Sequence, residues 1–185
     1  MEICMMLTDK SSVICNKLYP WERIFLDEER LTQAEKSLFL PLLLNHQVRF
    51  LEPVWKTLVS SKACLPLLWD MFPDHPLLLE SYFESDSRSA ALKQKAHVRK
   101  ATFGWEGANI EIIFPDDQAR SELSAGEYTE QGFIVQAYEE LPVFENYHLV
   151  VGSWLANNRA VGMGIRADQS KITGARALFI PHYVV

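Results

Sequence analysis

The chain has 185 residues, 48% of them hydrophobic and 23% charged, which is the composition of a folded globular protein and excludes disorder as its resting state. Eighteen basic against twenty-four acidic residues give a net charge of -6, with no dense run of Lys or Arg, so polymeric nucleic acid is not an expected partner. Cys4, Cys15 and Cys64 are odd in number and irregular in spacing, with no CxxC pair, and read as thiols kept in a reducing cytoplasm.

The opening MEICMMLTDKSSVIC is interrupted by Glu2, Asp9 and Lys10 and lacks the basic start and small-residue cleavage site of an export signal. LFLPLLL at 38–44 is far too short to cross a bilayer, so no membrane partner is expected. Thr32 and Glu35 stand at capping-box spacing, and Leu38, Leu42 and Val48–Leu51 after them predict a helix buried on one face. A second helix is predicted from Ser60 or Ser61 through KACLPLLWDMF. PDHP stops it, because Pro73 and Pro76 remove donors and disfavour helical geometry before them. LLLESYF at 77–83 reads as a short third helix, and the polar, small-residue run at 84–96 reads as a surface connection.

From residue 97 the pattern changes to short β-rich runs: HVRKATF, NIEIIF, GFIVQAY, YHLVVGSWL, RAVGMGIR and ALFIPHYVV, separated by turn-forming clusters. Asn157 and Asn158 between two of them predict a hairpin turn, since Asn tolerates positive φ. Helices first and then a mostly antiparallel sheet make an α+β fold, read as a single domain over 1–185. Trp21, Trp55, Trp69 and Trp154 are expected to serve packing.

One constellation carries chemistry. Alternation in HVRKATF sends Val98, Lys100 and Thr102 to one face and Arg99, Ala101 and Phe103 to the other. GWEGAN follows, with Gly104 and Gly107 where the backbone can turn or approach a ligand closely. Such a hairpin beside a strand lysine can fold over phosphates. A strand lysine is by itself more often solvated, and both readings stay open at this point.

KLYPWE at 17–22, EPVWKTLVSSKACLPLLWDMFP at 52–73, KATFGWEGANIEII at 100–113, FIVQAYEELPVF at 133–144 and VVGSWLANNRAVGMGIRADQSKIT at 150–173 together resemble the glutathionylspermidine synthase family of ATP-grasp ligases, in the family's order. The resemblance is closest to synthetase-only members and runs from about Lys17 to the end, with no clear counterpart for 1–16. It implies a partial ATP-grasp-like fold and ATP-dependent amide formation through an acyl phosphate. The partners it implies are ATP with Mg²⁺, a glutathione-like carboxylate and a polyamine-like amine. By the same resemblance Lys62 and Lys100 are ATP-binding lysines, Glu106 and Gly107 belong to the loop over the phosphates, and Gln136, Ala137, Tyr138 and Glu139 contact adenine. Lys171, Ile172 and Thr173 form a further nucleotide-contacting stretch, and Arg166 stands near the reacting groups as the catalytic arginine.

Read without the family, Arg166 is a surface hairpin residue and Gln136 an ordinary polar position on a half-buried strand. His182 has no role to carry over and reads as structural. Two positions depart from the family's pattern: Trp105 stands where the loop commonly carries arginine, in GREGAN, and Ala167 where an acidic residue is usual. The Mg²⁺ ligands of full-length relatives belong to an upstream segment, so the resemblance implies a truncated, carboxyl-terminal part with no metal ligands of its own. An upstream subunit, or self-association, is then the expected protein partner.

Overall fold

A computed structural model describes residues 3–9, 12–17, 20–22, 48–128 and 130–183. The chain divides into two compact units, Met1–Ser61 and Lys62–Val185. The class is α+β, with strands placed ahead of the helices as well as after them.

In the first unit, β1 (Ile3–Asp9) pairs antiparallel with β2 (Ser12–Lys17), with an irregularity between Leu7 and Asp9. The sequence reading had no counterpart for this hairpin. β3 (Val48–Leu51) joins β2 in parallel. The helix predicted from Thr32 falls outside the described residues except at its end, and that end is a strand. VRFL carries a β-branched and an aromatic residue, and β2 supplies the hydrogen-bond partners that a helix would have found internally. The Trp21 indole donates to the Glu52 carbonyl (3.0 Å) and meets Phe50 edge-on at 5.1 Å, as packing predicts. Trp55 does not follow that expectation: it is 60% exposed, in a single turn of 3-10 helix (Val54–Lys56) that leads into α1 (Thr57–Ser60).

The second unit opens with α2 (Cys64–Met71), at the place predicted, and the amide of Phe72 closes it on the Leu68 carbonyl just before Pro73. Residues 77–83 are not a helix. Their end is β4 (Ser81–Phe83), drawn into the sheet by antiparallel pairing with β8 (Phe133–Ala137), a partner fifty residues away that no local pattern reveals. The 84–96 run holds α3 (Ser89–Leu92), and its Leu92 is buried. With β5 (His97–Ala101), β6 (Ile110–Ile113) and β7 (Glu122–Ser124), these strands form an antiparallel sheet in the order β4-β8-β5-β6-β7.

A second antiparallel sheet contains β9 (Val143–Phe144), β10 (Tyr147–Ala156), β11 (Arg159–Asp168) and β12 (Leu178–Ile180). Asn157 and Asn158 both take positive φ (50° and 58°) at the β10–β11 turn, as the sequence predicts, and Glu145 and Asn146 do the same before β10. Trp154, on β10, is 68% exposed and not packed as expected, and His182 is likewise exposed. Val98, Ile112, Phe114 and Ile172 form a buried cluster, with Tyr138 and Ile110 against it.

Ile134 lies wholly buried on β8, an interior strand of the five-stranded sheet, opposite Lys100. Ile134→Ala is expected to lower the unfolding free energy by about 2–5 kcal/mol. Urea titration of the two proteins, read as a shift in midpoint at constant slope, checks this.

Candidate functional site

Strand register builds the floor of the site. Ser81 lies opposite Gln136, Gln136 opposite Val98, Val98 opposite Ile112 and Ile112 opposite Glu122. Directly opposed residues share a face, so these five make one row across the sheet. Lys100 follows Val98 on the same face, two residues along β5. Arg99 points to the other face, where its guanidinium takes both oxygens of Glu84 (2.6 and 3.0 Å) and lies 3.5 Å from the centre of the Phe133 ring. The alternation read from the sequence therefore separates one cation for structure from one for the site.

Lys62 reaches the same place from the segment before α2. Its amide donates to the Thr102 carbonyl (2.8 Å), two residues beyond Lys100, and its Nζ donates to the Gly104 carbonyl (2.7 Å). Thr102 is itself anchored, its amide on the Gly132 carbonyl and its hydroxyl on that of Gln131. The Lys100 ammonium donates to Gln136 Oε1 (2.7 Å). Burial, with the charge of Lys62 adding to it, pushes the Lys100 pKa down to about 8.

Between β5 and β6 the chain turns through Trp105–Ala108, closed by the Ala108 amide on the Trp105 carbonyl (2.9 Å). Glu106 (φ 53°) and Gly107 (φ 78°) both take positive φ, as in the mirror-image turns of hairpins. Gly107 also abuts the 172–174 segment: a Cβ there would lie 2.9 Å from Ile172 Cγ2 and from the Thr173 carbonyl oxygen. Trp105 meets Tyr128 edge-on at 5.1 Å, so the ring standing in the family's arginine position has an aromatic neighbour. Asn109 accepts from the Tyr128 amide and donates to the Gly126 carbonyl, tying the turn to residues 126–128.

The facing wall is the loop after β11. Asp168 accepts from the amides of Ser170 (3.0 Å) and Gly174 (2.9 Å). Burial pushes its carboxyl up, and the amide hydrogens of Gly174, Ser170 and Gln169, with the charge of His148, outweigh that and hold it low. The loop is fastened a second time by Glu122, which accepts from Ser170 Oγ and from the Lys171 amide and pairs with Lys171 Nζ at 3.2 Å. Lys171 Nζ also donates to the Arg120 carbonyl, so much of its charge is already satisfied within the protein. Ile172 enters the buried cluster, and Thr173 Oγ1 is buried with no hydrogen-bond partner in the structure.

These walls enclose a cavity of about 530 Å³. The structure brings every predicted site residue to its lining: Lys62, Lys100, Glu106, Gly107, Gln136 through Glu139, Arg166 and Lys171 through Thr173. Arg166 comes from β11 and forms no ion pair with another described residue. Apolar lining comes from Leu79, Val98, Ile110, Ile112, Leu141 and Val150. Four cationic side chains and two carboxylates, Glu106 and Glu139, stand in this lining, with Lys171 already paired to Glu122. The sequence reading missed Ser81, Thr102 and Asp168. Thr102 had a local signal in the alternation that puts it on the Lys100 face, and Asp168 in the Asp-x-Ser spacing of a side-chain turn. Among the described residues no three His, Cys, Asp or Glu side chains converge as a metal site, and no helix is long and apolar enough to cross a membrane.

The sequence matches the family described as glutathionylspermidine synthase preATP-grasp over residues 3–185. It is 35% identical over 183 residues to a Haemophilus influenzae protein named as an acid–amine ligase, covering 97% of this chain and 44% of that protein. It is 31% identical over 152 residues to the trypanothione synthetase of Crithidia fasciculata, covering 81% and 23%. It is 27% identical over 146 residues to the bifunctional glutathionylspermidine synthetase/amidase of Escherichia coli, covering 79% and 23%. The chain thus spans less than half the length of the relatives it matches.

Gly107→Ala and Gly132→Ala separate backbone conformation from close approach. Both glycines have φ near +80°, yet a Cβ at Gly132 meets no heavy atom within 4 Å. Gly132→Ala is expected to cost about 1–2 kcal/mol of conformational strain and Gly107→Ala about 1–3 kcal/mol more, for displacing Ile172 and Thr173. Denaturant unfolding of the pair measures the difference.

Proposed function

Because the chain belongs to the glutathionylspermidine synthase family, we propose that its cavity is the nucleotide-binding part of an ATP-dependent acid–amine ligase. One observation carries this reading: Lys62 and Lys100 present two ammonium groups to a single partly desolvated cavity beside a glycine turn, with Arg166 in its wall. Like charges held together away from water repel, and a polyphosphate is an anion of suitable extent to bridge them. The apolar lining along Ile112, Tyr138, Leu141 and Val150 suits a purine base beside the end of β8.

The chemistry then follows for this class of reaction. A carboxylate oxygen of the acid attacks the γ-phosphorus of ATP, the bond to the β–γ bridging oxygen breaks, and ADP leaves. The amine nitrogen attacks the carbonyl carbon of the resulting acyl phosphate, inorganic phosphate departs with the bonding pair, and the nitrogen loses a proton to give the amide. Lys62 and Lys100 spread the charge of the phosphoryl oxygens, and Arg166 offsets the charge that gathers where two anions are brought together. Lys171, already paired with Glu122, holds the loop that completes the wall. Mg²⁺ bound with the nucleotide calls for oxygen ligands. Among the described residues no cluster of three His, Cys, Asp or Glu side chains stands ready for it, and on this reading the chain's own cations share the neutralisation of phosphate charge with the ion.

The relatives' names point to a glutathione-like acid and a polyamine-like amine as substrates, and the odd, irregularly spaced cysteines favour a reducing cytoplasm as the compartment. The sites for both belong, on this reading, to sequence beyond the matched segment, in the same polypeptide or an upstream subunit. ADP release without such a partner would assign turnover to this segment itself, and nucleotide binding without ADP release would make it a binding module.

Mg-ATP at about a hundredfold excess over its Kd is expected to raise the melting temperature by about 5 °C or more. Lys100→Met is expected to weaken binding by more than about thirtyfold. Affinity should be constant at low pH and fall as pH rises through about 8, because an anion raises the pKa of Lys100 and the free protein must take up a proton to bind above its own value. Calorimetry between pH 6.5 and 9.5 checks these outcomes, and absence of binding at millimolar nucleotide overturns the reading.

A further inference from the structure

Ser81 is fully buried, and its hydroxyl hydrogen is committed to the Leu79 carbonyl (2.8 Å). Toward Gln136 it can therefore only accept, and it receives Nε2–H of that amide at 2.9 Å. This turns Oε1 to the Lys100 ammonium, which has only hydrogens to offer. Three hydrogen bonds thus run with one polarity, from Lys100 through Gln136 and Ser81 to a main-chain carbonyl. Both ends of the Gln136 side chain are engaged, so it acts through the lysine and leaves base contacts to residues 137–139 that follow it.

We infer that Ser81, through Gln136, is a positioning residue that fixes the Lys100 ammonium at the cavity floor. The inference deepens the nucleotide-site reading and rests on it for its purpose. Geometry gives the reason such a device is needed. The charged and titratable groups sharing the cavity with Lys100 are Lys62, Glu106, Tyr138, Glu139, Arg166 and Lys171. Lys62 is among the causes that depress Lys100, and the amide oxygen is the acceptor that Lys100 finds in the structure. An amide without that anchor could also turn its NH₂ toward the lysine, leaving a buried ammonium facing another donor. Ser81 removes that alternative without adding a charge.

The test follows the Lys100 side chain itself, in the 185-residue chain with lysines labelled at Nζ and Cε and the Lys100 signal assigned by its loss in Lys100→Arg. In Ser81→Ala the titration midpoint of Lys100 is expected to fall by about one pH unit, tenfold in the protonation constant. In Gln136→Glu it is expected to rise, because a carboxylate replaces the amide oxygen. A purely structural Ser81 would lower the melting temperature and leave the midpoint where it is, and that result overturns the inference. If Ser81→Ala does not fold, Gln136→Glu, of nearly equal size, carries the same readout, and an unmoved midpoint there overturns it equally. Midpoints that move as expected in a protein that binds no Mg-ATP keep the positioning role and remove the nucleotide reading. Mg-ATP binding with midpoints indifferent to both substitutions does the reverse.

Discussion

The hydrogen bond from the Lys62 amide to the Thr102 carbonyl is the contact on which the site depends. It joins the start of a helix to the end of a strand forty residues later, and Thr102 in turn is held to residues 131 and 132 on the neighbouring connection. Two ammonium groups are thereby brought to one cavity against their mutual repulsion. Each donates to a neutral oxygen within the site, Lys62 to the Gly104 carbonyl and Lys100 to the Gln136 amide, and neither of these two hydrogen bonds cancels a charge.

The other walls meet the same demand for an ordered lining by different means. Glycine is required at 107 for two reasons at once, a positive φ and the absence of a Cβ against the opposite loop. That loop is set by Asp168 gathering main-chain amides and by Glu122 bridging the two sheets through Ser170 and Lys171. Carboxylates here stabilise backbone, while Lys62, Lys100 and Arg166 line the cavity of a chain whose net charge is -6.

Trp105 shows how a departure from a family pattern can be read physically. A ring in place of a guanidinium removes one fixed charge from the turn and replaces it with edge-on packing against Tyr128. The remaining cations are then more important individually, and the hydrogen-bond chain behind Lys100 gains weight for the same reason. Elsewhere tryptophan proved a poor guide: Trp21 packs as its size predicts, whereas Trp55 and Trp154 stand largely exposed on the surfaces of their elements.

Local pattern alone determined α2, the strands β5, β6, β8, β10, β11 and β12, the Asn-Asn turn and the face to which Lys100 points, because each depends on periodicity or φ preference within a few residues, whereas the short β7 and β9 lay outside the runs it picked out. The resemblance carried by the quoted motifs named the residues that line the cavity. What the tertiary structure alone decided was pairing at a distance. Ser81–Phe83 becomes a strand because β8 lies beside it, Val48–Leu51 because β2 does, and Ser81, Thr102 and Asp168 join the site through partners that sequence spacing does not show. Hydrogen bonds between remote segments have no signature in either segment read by itself, since Ser, Thr and Asp are as common on open surfaces as in such linkages.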